Sequence, residues 1–200
     1  MRMTKSLALA ALVSACSALL AFGAHAASIG FVPSSQTVAP GDLASVDVVV
    51  SDLAGEIVSA YDLDITYDDS VISAQSVVLT SALGNESSFE AFYDSDLSTS
   101  GVVDIAGLSL LSDAELLSRQ GGDSVVLATI TFRAGDAGTS SLDFVFDAFN
   151  DIKGSNGRVL DVTPESGSIG VVPEPTSAAL FFVGFAVAHG AIRKGRATTP

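Results

Sequence analysis

Imidazole, thiol and indole are nearly missing from this sequence, which has two histidines, one cysteine and no tryptophan in 200 residues. Their positions sharpen the point. Cys16 and His25 lie near one end and His189 near the other, so the stretch from Ala27 to Val172 contains none of the three. That stretch cannot build a Ser-His-Asp or Cys-His catalytic set, a zinc site of His and Cys, or a structural disulfide. Its only tyrosines are Tyr61, Tyr67 and Tyr93. Carboxylates are abundant enough for a two-acid glycosidase, yet the aromatic walls of such clefts are in short supply. Positive charge is scarce too: nine Lys and Arg face 23 Asp and Glu, a net charge of −14. Arg2 and Lys5 stand at the start and Arg193, Lys194 and Arg196 at the end, leaving Arg119, Arg133, Lys153 and Arg158 between them. Such an acidic surface repels nucleic acid and anionic lipid. Internal repeats, a Gly-rich phosphate loop and low-complexity linkers are also lacking. These absences point away from an enzyme and towards a binding or structural protein.

The two ends are built differently from the middle. Met1 to Lys5 is a short basic segment, Ser6 to Phe22 is apolar, and Ala24-His25-Ala26 has the small-x-small form of a cleavage site. Residues 1–26 therefore read as a secretory signal peptide, cleaved after Ala26. Val13-Ser14-Ala15-Cys16 resembles a lipoprotein lipobox, but the apolar run continues past Cys16 where a lipoprotein turns polar. At the other end, Thr176 to Ile192 is an uncharged run of about 17 residues, the lower limit for a helix crossing a bilayer. The basic cluster after it belongs on the cytoplasmic side, which directs the preceding chain outward. Pro173 and Pro175 prevent a helix from extending back, so Val172 to Pro175 should be extended and accessible.

Val172-Pro173-Glu174-Pro175, the single apolar span and the terminal Arg193, Lys194 and Arg196 together resemble the PEP-CTERM sorting signal of Gram-negative bacteria. The resemblance covers residues 173–200 and implies a membrane-embedded exosortase as a partner during export. The 176–192 helix would anchor the chain in the inner membrane until that processing removes it.

The middle, residues 27–172, has the length of one domain. Short stretches alternate with period two between clusters of Gly, Asp, Asn, Ser and Pro, which predicts an all-β fold. After a turn at Ala39-Pro40-Gly41-Asp42, Val46, Val48 and Val50 share one face, opposite Ser45, Asp47 and Val49. Tyr61, Leu63, Ile65 and Tyr67 oppose Asp62, Asp64 and Thr66, and Asp68-Asp69 closes that strand. Ser88 to Asp94 and Gly101 to Leu108 are further strands. Ser112-Asp113-Ala114-Glu115 has capping-box spacing and predicts a short helix ended by Gly121-Gly122. Val126, Ala128, Ile130 and Phe132 alternate with Leu127, Thr129 and Thr131. Leu142, Phe144, Phe146 and Ala148 follow in one phase, and Ser166 to Val172 is the last strand. Many strands with little helix predict a two-sheet sandwich.

Several of these segments, in this order, are similar to the cohesin family. Val38-Ala39-Pro40-Gly41-Asp42 with its following valines resembles the start of a cohesin domain. Tyr61 to Ile72 resembles the strand that ends in Tyr-Asp-Pro-x-Val-Leu, with Asp69 where proline is usual. Val126 to Phe132, Gly138 to Leu142, Asn156-Gly157-Arg158-Val159 and Gly167-Ser168-Ile169 complete the order across about Ile29 to Val172. The resemblance implies a jelly-roll sandwich of about nine strands that binds a dockerin-like protein through a flat sheet face, without catalysis. Asp62 falls at an acidic strand position that dockerins contact in the cellulosomal type, while Ala60 stands where the family often has Asn.

Asp62, Asp64 and Thr66 are accordingly the candidate partner-binding residues. Acids at period two can grip a basic or hydroxyl-rich partner by charge-assisted hydrogen bonds; the plain alternative is the solvated face of a half-buried strand. A second set, Asp147, Asn150, Asp151, Asn156 and Asp161, places oxygen ligands around a Gly-containing turn and makes a weak calcium candidate. Its spacing is not that of an EF-hand, and Asp and Asn favour turns for conformational reasons alone. Asp94-Ser95-Asp96 is a weaker version of the same idea. The expected function is an exported, exosortase-processed surface or matrix protein that binds a dockerin-like partner with no obligatory cofactor. The alternative is a carbohydrate-binding or structural component of an exopolysaccharide matrix.

Overall fold

The computed structural model describes residues 26–147 and 150–173. Among these residues twelve strands form two sheets. They are β1 (Ala27–Val32), β2 (Ser35–Val38), β3 (Leu43–Ser51), β4 (Ala60–Tyr67), β5 (Ile72–Leu79), β6 (Ala91–Asp96), β7 (Val102–Ser109), β8 (Ser124–Ala134), β9 (Gly138–Val145), β10 (Asp151–Lys153), β11 (Val162–Pro164) and β12 (Gly167–Val171). One sheet runs β11-β1-β3-β8-β5. The other runs β2-β12-β9-β4-β7-β6, with β10 continuing alongside β4. Most pairings are antiparallel; β11 on β1 and β2 on β12 are parallel.

Alternation decides which side chains meet between the sheets. Val46, Val48 and Val50 of β3 and Leu63 and Ile65 of β4 are all buried, joined by Ile105, Ile130, Phe132, Leu142 and Ile169 from other strands. Aromatic contacts cross the gap: Tyr67 meets Phe132 edge-on at 5.3 Å, and Phe31 stacks on Phe144 at 4.5 Å. Burying this much apolar surface is the main favourable term in folding, and it is shared by both sheets.

The helix predicted from its capping box is present as α1 (Asp113–Gln120). Ser112 Oγ accepts from the Glu115 amide, Glu115 accepts from the Ser112 amide, and Gly121 ends the helix in the left-handed region. Gln120 ties α1 to the sandwich, its side chain bonding both the amide and the carbonyl of Val58.

The structure corrects four expectations. Among the described residues there are twelve strands rather than about nine, because β2, β10 and β11 are only three or four residues long and too short to show periodicity. Ser88 does not begin a strand; 86–88 is a 3₁₀ turn capped by Asn85, and β6 starts at Ala91. In β8 the phase reverses at a bulge. Val48 pairs with Ala128 but Val49 pairs with Val126, which leaves Leu127 as the extra residue. Leu127 is therefore buried and Val126 exposed, so Val126 does not share the face of Ala128, Ile130 and Phe132 as strict alternation predicts. Finally, β9 stops at Val145, so Phe146 lies beyond it and is 37% exposed; Ala148 is outside the described residues.

Candidate binding face

The outward face of the β6-β7-β4 region is ordered by strand register. Leu108 of β7 lies between Phe92 of β6 and Ala60 of β4, and Lys153 of β10 continues that row. In the next row are Asp94, Ala106, Asp62 and Asp151, and in the row after it Asp96, Asp104, Asp64 and Val145. Successive rows are two residues apart, or about 7 Å along the strand. The face is thus graded, apolar at one end and acidic at the other. Phe92 and Leu108 are each 50% exposed and Leu110, just beyond β7, is 56% exposed. Small Ala60 and Ala106 between these larger neighbours leave an open depression bordered by Phe92, Leu108, Asp62 and Asp94.

The acidic rows place like charges directly opposite one another, an arrangement that destabilises a sheet. Partial burial first, then Asp64, Asp151 and Asp147, raises the Asp62 pKa above its ordinary value. Burial and then Asp62, Asp64, Asp96 and Asp94 do the same to Asp104. Among the described residues no hydrogen bond offsets either shift. Other members of the rows have partners. Asn150 donates its amide to Asp64 at 2.9 Å, Asp151 is ion-paired with Lys153, and Asp94 accepts from the Ser95 amide. Asp96 accepts from the Ser98 amide and hydroxyl, which lowers its pKa.

Beneath the rows, Tyr61 faces inward opposite Gly107, and a Cβ added at Gly107 would lie 2.7 Å from the Tyr61 ring. The Tyr61 hydroxyl is buried with no hydrogen-bond partner among the described residues, and burial raises its pKa.

Of the three residues expected to bind a partner, Asp62 and Asp64 lie in the acidic rows. Thr66 is on the same face, but its hydroxyl donates to the Asp143 carbonyl at 3.3 Å. Among the described residues no group of three or more His, Cys, Asp or Glu is placed to hold a metal. Asp147 accepts from the Asn150 backbone amide at 3.0 Å, Asp151 pairs with Lys153, and the Asn156 backbone amide donates to Asp113 on α1. Asp161 is exposed in the segment before β11.

Sequence reasoning did not single out Phe92, Asp104, Leu108 or Leu110, and it read Asp94 and Asp96 only as a weak calcium motif. They lie on β6 and on or just beyond β7, and what brings them beside Asp62 and Asp64 is register between strands, which no local pattern carries. At the chain ends, Ala26 is exposed, and Val172 and Pro173 follow β12, the Val172 amide bonding the Val38 carbonyl at 3.0 Å. Ala24, Glu174, Pro175, the 176–192 span, Arg193, Lys194 and Arg196 lie outside the described residues. No helix among the described residues is long and apolar enough to cross a membrane.

The family model for the cohesin domain matches residues 30–171. Solved structures share the fold at low identity. A cohesin from Clostridium acetobutylicum, determined in solution, is 19% identical with a TM-score of 0.58, over 76% of this chain and 94% of that one. The seventh ScaB type I cohesin from Pseudobacteroides cellulosolvens is 15% identical with a TM-score of 0.59, over 76% and 96% respectively. A type I cohesin–dockerin complex from Clostridium thermocellum gives 16% identity and a TM-score of 0.56, over 74% and 99%. None of the curated proteins matches the chain.

Proposed function

The chain belongs to the cohesin family, and from that premise we propose that it is an exported, exosortase-processed surface or matrix protein whose sandwich binds a dockerin-like protein without catalysis. The binding site is the outward face of β4, β6 and β7, centred on Asp62 and Asp64. The observation that carries this reading is the exposure of Phe92, Leu108 and Leu110 beside an acidic lattice on one sheet face. Neither feature helps the fold: exposed apolar side chains gain little from folding, and opposed carboxylates oppose it. The printed description of the Clostridium thermocellum structure names a cohesin–dockerin complex, which supports the choice of partner class. The signal peptide, the Val172-Pro173-Glu174-Pro175 motif and the basic tail support the route of export.

The test pairs the full chain with a panel of dockerin domains and with a polysaccharide array. Saturable binding to a dockerin, lost when Phe92 and Leu108 are changed to Ser, is the expected result. Glycan binding with no protein captured would replace this reading with the matrix alternative. Intact mass of the protein from its host checks the processing route. The expected species lacks residues 1–26 and the segment beyond about Pro175; a retained tail would make it an ordinary anchor.

A further inference from the structure

We propose that the β5 edge of the five-stranded sheet pairs with the β5 edge of a second copy of this chain, joining two sandwiches through one ten-stranded sheet. The inference goes beyond the proposed function and does not depend on it. A sheet edge is a template for another strand unless it is short, charged or interrupted by proline. Three of the four outermost strands are blunted in one of those ways. β2 has four residues, β11 has three and ends in Pro164, and β6 carries Asp94 and Asp96. β5 has eight residues, Ile72 to Leu79, with no charge, no proline and no glycine. It pairs with β8 on one side and with no strand among the described residues on the other. Its core-facing Ala74, Val77 and Leu79 are only half-buried, so the core itself is left open along this edge.

Register and charge select a copy of this chain as the occupant. Ala74 pairs with Phe132 and Ser76 with Thr131, which leaves Gln75 as the extra residue of a bulge. Under strict alternation, two residues whose numbers differ by an odd step face opposite sides; the extra residue restores them to one side when the bulge lies between them. A two-fold axis between Gln75 and Ser76 therefore sets Ile72 against Leu79 and Ala74 against Val77 on the core side. It sets Ser73 against Val78 on the outer side. Residues opposed in an antiparallel pair must share a face, and this edge meets that condition with itself. The chain has a net charge of −14, so two copies repel except where acids are distant. Along the ladder beside β5 the charged neighbours are Arg133 opposite Ser73 and, one strand further in, Asp47. The Gln75 amide lies back along its own strand, 3.4 Å from the Ser73 carbonyl and 3.3 Å from that of Ala74. Bonds this long are readily exchanged for backbone ones. Each copy has one such edge, so the pairing closes at two. One pair of eight-residue strands buries less than the roughly 1,200–2,000 Å² of a stable complex, and the dimer is accordingly weak.

The test follows sedimentation and hydrogen exchange of the full chain at about 1 µM and about 500 µM, which span the range of a weak interface. A dimer should appear at the higher concentration. The amides of residues 72–79 should exchange about tenfold more slowly there, with those of β4, β6 and β7 unchanged. Association should strengthen about threefold as salt rises from about 0.05 to 0.5 M, because screening weakens repulsion between acidic copies. Ser76→Lys sets a lysine of each copy beside the two-fold axis and should weaken association about tenfold. Ser124→Lys makes the same charge change on β8 beyond the end of β5 and should associate like the parent. Both positions are exposed, and circular dichroism checks that each variant is folded; the exchange measurement needs neither variant. No dimer at the higher concentration would overturn the inference, as would association that leaves the 72–79 amides unchanged. Equal losses in the two variants, or a dimer weakened by salt, would overturn it as well. Dockerin binding should be unchanged in Ser76→Lys, so failure here leaves the proposed function standing.

Discussion

On the outer side of the five-stranded sheet, Ser45 and Thr131 hydroxyls lie 3.1 Å apart, and Thr129 donates to Asp47 at 2.6 Å. Ser28, Ser51 and Ser124 line up in another row there. On the outer side of the other sheet, Asp96, Asp104 and Asp64 stand shoulder to shoulder beside exposed Phe92 and Leu108. Both sheets contribute the same kind of side chain to the common core. The difference is confined to the outside. One outer face holds a single acid, Asp47, and a single base, Arg133, with its hydroxyls bonded within the face and Leu43 and Val78 exposed among them; the other sets six carboxylates in two adjoining rows beside exposed Phe92 and Leu108. A fold can tolerate that second arrangement because the shared core supplies the stability.

Four substitutions or conditions sharpen or break this contrast. The largest effect should come from beneath the acidic face. Gly107→Ala drives a Cβ into the Tyr61 ring, and overpacking of this kind costs about 1–3 kcal/mol. Denaturant unfolding measures it; an unchanged midpoint would mean that Tyr61 moves freely and that the face has no rigid floor. Next, Thr129→Val on the neutral face removes a hydrogen bond to Asp47 and should cost about 1 kcal/mol. Asp104→Asn on the acidic face should have the opposite sign. It relieves like-charge opposition and should stabilise by about 0.2–1 kcal/mol. If both lower the melting temperature equally, the two faces do not differ in the way described.

The smallest effect is the pH dependence. Asp62 and Asp104 bind protons more tightly folded than unfolded. Their penalty is present at neutral pH and is relieved as pH falls through their raised values towards the ordinary carboxylate value of about 4. Asp68, Asp96, Glu115 and Asp143 are shifted downward by hydrogen bonds, chiefly to serines. Their contribution is present above the ordinary value and is lost as pH falls through their lowered ones. Melting temperature should therefore pass through a shallow maximum just above the ordinary carboxylate range. In Asp62→Asn/Asp104→Asn the rise from neutral pH to that maximum should flatten; parallel curves for the two proteins would refute the assignment.

Much of the fold was legible locally. Val46, Val48 and Val50, and likewise Tyr61, Leu63 and Ile65, announce their strands and their buried side because period two has one physical meaning. Ser112 and Glu115 announce a helix because the capping box satisfies amides three residues apart in the same chain. The absence of His, Cys and Trp from residues 27–172 and the surplus of acids were likewise properties of the sequence alone. Asp62 and Asp64 could be nominated because they alternate with buried neighbours. The bulge at Leu127 could not be read, since an extra residue is recognised only against the partner strand. Nor could the rows joining Asp104 to Asp64 and Leu108 to Phe92, because register is set by pairing between residues far apart in the chain. Composition and alternation thus determined what kind of layers this protein builds and which side chains residues 27–172 lack. Tertiary pairing decided which carboxylates and which apolar side chains share a surface, because lateral order in a sheet is a relation between strands.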